Sequence, residues 1–171
     1  MTPDVREAGP NDAAGIAEAH VLSWQACYRG QIPDEVLDNL VVADRAKQWA
    51  AILEKGSSEI GVFVGEVEGH IVGFSSCGPA GGDHAVPGAG ELSSLYLLPE
   101  WWGRGLGVEL HDDAIGHLKE RGYPVAMLWV LTANHRARRF YEKQGWSWGG
   151  YEKMYQRDGF DIPELRYERE L

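Results

Sequence analysis

The run Leu95-Tyr96-Leu97-Leu98-Pro99-Glu100-Trp101-Trp102-Gly103-Arg104-Gly105-Leu106-Gly107 constrains this chain more than any other segment. A β-rich stretch stops at Pro99, and a loop with glycines at 103, 105 and 107 leads straight into a helical stretch. Such a junction sets a helix N-terminus at the end of a strand, where the first-turn N–H groups lack partners and the dipole is positive. Glycines there let the backbone close on an anion without Cβ interference. The segment reads as a phosphate or pyrophosphate cradle; a tight strand-to-helix turn with no ligand has the same spacing. Two common phosphate loops are excluded. The Walker A loop needs Lys and Ser/Thr after its last glycine, where Val108 and Glu109 stand. The dinucleotide fingerprint needs glycine at 108 and an early βαβ position, and this loop comes late.

The rest of the chain supplies an α/β frame for that junction. Residues 4–8 read as a short strand. Residues 13–28 read as a helix with Ile16, Ala19, Leu22 and Ala26 on one face, stopped by Gly30. Pro33 opens a second helical stretch carrying Val36, Leu37 and Leu40, and residues 44–55 form a third before Gly56. Residues 59–67 and 71–77 are β-rich and separated by Glu68-Gly69, a hairpin signal. A Gly/Pro-rich loop at 78–90 precedes a strand at 91–98. The helix at 105–121 repeats Leu106, Leu110, Ala114 and Leu118, and ends at Gly122 and Pro124. Residues 125–131 form an apolar, central strand. A helix follows at 134–144, then a closing strand pair at 146–155 and 165–170. The expected architecture is one domain over residues 1–171, a mixed sheet with helices on both faces.

The cradle segment Trp102-Gly103-Arg104-Gly105-Leu106-Gly107 resembles the coenzyme A signature of the GCN5-related N-acetyltransferase (GNAT) superfamily, Gln/Arg-x-x-Gly-x-Gly/Ala after a strand. Trp102 stands where that pattern has Gln or Arg. A second block, from Leu128 through Asn134, Phe140 and Tyr141 to Gly145-Trp146, follows in the family's order. The resemblance implies a mixed, mostly antiparallel sheet with a splayed central strand pair that binds acetyl-coenzyme A as co-substrate. Leu95, Tyr96 and Leu97 would pair with the pantetheine arm as a neighbouring strand would. The amides of Gly103, Arg104, Gly105, Leu106, Gly107 and Val108 would hold the pyrophosphate, and Asn134 would bond a pantetheine amide as well as cap its helix. Arg136, Arg138 and Arg139 form a basic cluster that suits either the cofactor's 3′-phosphate or an exposed helix face.

Tyr141 lies seven residues after Asn134, two turns on and on the same face. The resemblance assigns it the proton for the departing thiolate, with a core aromatic as the bland alternative. Some members of the family place a glutamate on the strand before Asn134, where this chain has none, and the resemblance then points to Glu91, where other members carry an acid, as the candidate base acting through water; an exposed strand-end acid is the alternative. The segment from Trp24 to Pro33 also resembles a family feature at the first helical hairpin, which implies that Trp24 and Tyr28, four apart on one helix face, form an aromatic wall of the acceptor pocket; ordinary packing is the alternative. The implied reaction is direct acetyl transfer to a primary amine. A non-catalytic acyl-coenzyme A-binding regulatory module is the rival. Protein N-termini, lysines, polyamines, aminoglycosides and small amino acids all fit as acceptors, and the family makes a homodimer an expected assembly.

Sixteen Lys and Arg against twenty-six Asp and Glu give a net charge of −10, which argues against nucleic acid or an anionic membrane as partner. No run approaches the apolar length of a membrane span, and residues 1–12 hold no apolar signal core. Cys27 and Cys77 have no metal or redox spacing and read as reduced core thiols, which points to the cytoplasm. His111, Asp112, Asp113 and His117 are read as polar groups on a helix and not as a metal site.

Overall fold

The computed structural model describes residues 1–157 and 159–171. In chain order the elements are β1 (Asp4–Glu7), α1 (Ala13–Cys27), α2 (Asp34–Asp38), α3 (Val42–Lys55), β2 (Gly61–Val67), β3 (His70–Pro79), β4 (Gly90–Leu97), α4 (Leu106–Glu120), β5 (Val125–Leu131), α5 (His135–Lys143), β6 (Ser147–Arg157) and β7 (Phe160–Glu170). The strands form one seven-stranded sheet in the order β1-β2-β3-β4-β5-β7-β6. Every neighbouring pair is antiparallel except β4 and β5, which run parallel. The β2–β3 hairpin turns at Glu68 and Gly69, both at positive φ, the backbone that a tight two-residue turn demands.

Strand alternation divides the core between the two sheet faces. Val62, Val64 and Phe74 face α1 and α3, where they meet Ile16, Ala17 and Trp49. On the opposite face α4 buries Leu106, Leu110, Ala114 and Leu118, as their spacing of four requires. Each of these leucines contributes about 2 kcal/mol through burial. α4 lies close to the sheet because Gly65 leaves room for it: a Cβ on Gly65 would stand 2.6 Å from Leu106 Cδ1.

Helix α1 is rotated relative to the face expected from its apolar residues. Leu22 and Ala26 are exposed, while His20 and Ser23 are buried beside Ile16 and Ala17. The inward stripe follows the helical period through polar positions, and His20 is satisfied there by accepting a hydrogen bond from Trp49 Nε1 at 3.2 Å. The last two strands are also longer than the sequence pattern implies. β7 begins at Phe160 and includes Pro163, whose carbonyl accepts from the Thr132 amide at 2.9 Å. Cys77 is a core thiol as expected, whereas Cys27 is only half-buried and lies on a cleft.

Candidate active site

The cleft exists because two central strands part. β4 and β5 pair only at Gly90↔Ala126 and Glu91↔Met127. Beyond that rung β5 continues with β7 through Leu131, and β4 continues with β3 through Leu97. A bulge accompanies the parting. Ser76 pairs with Ser94 and Cys77 with Leu92, so Ser93 is an extra residue in β4. The β5-facing edge of β4 past Glu91 therefore has no strand partner, and its amides and carbonyls face a cleft of about 640 Å³. An extended ligand with amides of its own can satisfy them as a strand would. Leu95, Tyr96 and Leu97 all lie on this wall.

The loop after β4 forms one end of the cleft. Gly103 and Gly105 have φ of +71° and +93°, and a Cβ on either would meet no atom within 4 Å. Both need glycine for their backbone, and the space above them is open. Gly105 caps α4, which begins at Leu106. The Val108 amide donates to the Gly105 carbonyl at 3.0 Å, so the amide expected to complete the cradle is already engaged. Leu106 is buried under α4, which leaves only its backbone for a ligand. Arg104 stands over the Trp101 ring at 5.4 Å and is not part of the cleft wall. The open cradle is thus the backbone from Gly103 to Gly107.

Trp102 and Arg136 join the two walls. Trp102 Nε1 donates to the Leu97 carbonyl at 3.0 Å, which fixes the indole against β4. From the first turn of α5, the Arg136 guanidinium lies 3.4 Å from the centre of that ring. It also donates to Cys27 Sγ at 3.4 Å. The basic cluster expected on α5 is therefore divided. Arg138 is a strut inside the fold, donating to the Thr132 carbonyl at 2.8 Å and to the Tyr167 hydroxyl at 3.1 Å, while Arg139 is exposed.

Asn134 lines the cleft and caps α5, its Oδ1 accepting from the Ala137 amide at 3.3 Å. Tyr141 lines the same cleft. Burial pushes its phenol above the usual value, the nearby Tyr96 pushes the same way, and Arg136 opposes them. Tyr141 therefore carries its proton at neutral pH, as a donor must and a base must not. Phe140 shares the cleft wall beside it, so the adjacent pair is not divided between core and site. Tyr28 and Tyr96 meet hydroxyl to hydroxyl at 3.2 Å on the opposite wall, and burial raises both phenols as well. Trp24 stands behind them, its ring 5.2 Å from Tyr28 and 5.8 Å from His20, and does not line the cleft. The helical spacing that put Trp24 and Tyr28 on one face brings only Tyr28 to the cavity.

Glu91 lies at the last β4–β5 rung and is not part of the cleft wall. Burial raises its carboxyl above the ordinary range, Lys153 opposes the shift, and Glu164 adds to it. His111 is held structurally: its Nδ1 is 2.9 Å from Asp112, and its Nε2 accepts from Trp146 Nε1 at 2.9 Å. Among the described residues no three His, Cys, Asp or Glu side chains are grouped to hold a metal ion. No described helix is long and apolar enough to cross a membrane.

Residues 20–146 match the acetyltransferase (GNAT) family. The chain belongs to the GNAT family. Among its relatives is an uncharacterized N-acetyltransferase of Archaeoglobus fulgidus, 41% identical over 142 residues that cover 82% of this chain and 90% of that protein. A mycothiol acetyltransferase of Streptomyces griseus subsp. griseus is 30% identical over 149 residues, 87% of this chain but 44% of that longer protein. The fold is shared by the PaiA N-acetyltransferase of Thermoplasma acidophilum, solved in complex with coenzyme A, at a TM-score of 0.76, 21% identity and full coverage of both chains. It is shared also by YncA of Salmonella typhimurium, solved with acetyl-coenzyme A, at a TM-score of 0.75 and 20% identity over 100% of this chain and 95% of that one.

Within the GNAT frame, the departure at Trp102 acquires a physical account. The signature's first position usually brings a polar or cationic side chain to the loop, and here a guanidinium arrives from α5 and rests on the indole that replaced it. Other features of this GNAT cleft have no local motif. The bulge at Ser93 depends on β3. Trp129, which lines the cleft from β5, carries Lys153 of β6 over its ring at 3.9 Å. Lys153 in turn meets Glu164 of β7 at 3.5 Å.

Proposed function

We propose that this protein is an acetyl-coenzyme A-dependent N-acetyltransferase that passes the acetyl group directly to a primary amine. The observation that carries the reading is the shared cleft: an unpaired strand edge, a glycine cradle at one end, and the protonated Tyr141 phenol on the facing wall. The cofactor fits these residues. Its pyrophosphate suits the backbone from Gly103 to Gly107, and its pantetheine amides suit the β4 edge and Asn134. The bound thioester supplies an already activated acyl carbon, so this chain's task is to position, desolvate and move protons. A backbone N–H freed around the Ser93 bulge serves as donor to the developing oxyanion. Tyr141 gives its proton to the leaving sulfur. Glu91 takes the proton that the acceptor ammonium must lose, through water, because it stands behind the wall. The relative named N-acetyltransferase supports the acetyl-transfer reading as a whole.

The decisive experiment is a panel of amines, from peptides with free N-termini through polyamines, aminoglycosides and amino acids, read by thiol release from acetyl-coenzyme A. Release above the hydrolysis blank with one class supports the reading and names the acceptor. A chain that binds acetyl-coenzyme A in calorimetry but releases no thiol with any class is a binding module, and the reading falls.

A further inference from the structure

The sheet face beside the cleft holds a reactive group that the steps above do not use. Trp129 lies two residues past Met127, the last β5 residue paired with β4. Its position is therefore about 7 Å beyond that rung, on the same strand face, where the strands have parted. Lys153 projects over it, with Nζ 3.9 Å from the ring centroid and 3.5 Å from Glu164 Oε1. An aromatic face with a carboxylate beside it is the pairing that holds a primary ammonium. Glu164 is itself only 7% exposed, and Glu91 at the rung also feels the Lys153 charge. Two carboxylates thus attend one amine, and that amine lies over Trp129, a residue of the cleft wall. Tyr151 stands edge-on to Trp129 at 6.1 Å, and Arg166 lies over Tyr151 at 5.0 Å, with its charge directed to Glu168 and the His84 carbonyl.

We propose that Lys153 is an internal acceptor: its amine occupies the seat of the acceptor amine, and the chain acetylates it. This rests on the acetyl-transfer reading above. Lys153 gives its extra proton to Glu164, and the neutral Nζ bonds to the acyl carbon. The carbon–sulfur bond breaks, the thiolate takes the Tyr141 proton, the nitrogen loses its second proton through water to the Tyr141 phenolate, and Glu164 releases the first proton to solvent. Burial holds the Glu164 carboxyl above the ordinary range, opposed by Lys153, which suits a proton acceptor. The product amide is neutral, so Glu164 loses its ion-pair partner and the Trp129 face loses its cation. A cationic external acceptor competes for the same seat while Lys153 is unmodified.

The test incubates the purified chain with acetyl-coenzyme A and no added amine, and follows each lysine by peptide mass spectrometry. Lys153 should gain one acetyl group at least about tenfold faster than exposed Lys119, because positioning alone supplies more than that. The rate should not change on dilution. Tyr141→Phe and Glu164→Gln should each slow it, and Lys153→Arg should remove it while preserving the charge. Acetylation of Lys153 at the Lys119 rate, a rate proportional to protein concentration, or one unaffected by Tyr141→Phe would overturn the proposal. Calorimetry separates the two readings. Acetyl-coenzyme A binding and thiol release to added amines, with Lys153 unmodified, sinks the internal acceptor alone. No binding of acetyl-coenzyme A sinks the acetyl-transfer reading and the internal acceptor with it.

Discussion

The β4 wall and the loop to α4 offer a ligand mostly backbone, whereas the neighbouring face of β5, β7 and β6 offers side chains gathered from distant parts of the chain. On the first wall the working groups are an unpaired strand edge and the open turn from Gly103 to Gly107. On the second they are Trp129, Lys153 and Glu164, each from a different strand. A backbone site tolerates side-chain exchange as long as its conformation survives, which is how Trp102 can stand at a position usually held by Gln or Arg. A side-chain site has no such tolerance, because its contacts depend on the identity of each residue.

The largest expected effect tests whether chemistry and cofactor binding are separable within the cleft. Tyr141→Phe keeps the ring and loses the hydroxyl, so kcat should fall by about 10²-fold while the acetyl-coenzyme A affinity stays put. Steady-state kinetics beside calorimetry reads both; a rise in cofactor KM with kcat intact would make Tyr141 a binding residue. Next is the backbone wall itself. Gly105→Asp puts a negative charge and a disfavoured φ into the cradle, and acetyl-coenzyme A should bind at least about tenfold more weakly. A melting curve is needed alongside, because the strained φ alone lowers stability; unchanged affinity in a folded variant would place the phosphates elsewhere.

Smaller still is the contribution of the clasp between the walls. Trp102→Ala removes the ring under Arg136 and should weaken acetyl-coenzyme A by about two- to fivefold, the worth of an exposed cation–π contact. Loss of the same size in Arg136→Ala, without further loss in the double variant, would show that the two act as one unit. The smallest effect concerns stability. Burial raises the folded Glu91 carboxyl above the ordinary carboxylate value of about 4.5. Its contribution is fully present below that value and is lost as pH rises through the folded one. Glu91→Gln should flatten this decline, so its melting temperature relative to the parent should rise between pH 4.5 and neutrality, by a few degrees at most. A difference that is constant over that range would mean the carboxyl is solvated.

The two walls also differ in how far they could be read from sequence. The junction at Pro99–Gly107 is local, so strand, turn and helix start were legible from residue types alone, as were Asn134 as a cap and the buried repeat of α4. The bulge at Ser93 was not, because it is defined by a register with Ser76 and Cys77 of β3. The α1 face was misplaced because His20 and Ser23 count as polar in a periodicity argument, yet tertiary contacts satisfy His20 inside the fold. Trp129, Lys153 and Glu164 carry no signal, since only the pairing of β7 with both β5 and β6 brings them together.

That pairing has a consequence for the order in which the molecule can be built. β7 follows β6 in sequence but lies between β5 and β6 in the sheet. While a ribosome is still adding residues 160–170, β6 has no neighbour to zip against and β5 shows one bare edge. Such edges invite pairing with other chains, and closing the β5 edge is slow because β7 lies some thirty residues further along the chain. The cradle can form on a nascent chain well before this, whereas the cluster of Trp129, Lys153 and Glu164 cannot. That cluster is therefore complete only once β7 has paired along both of its edges.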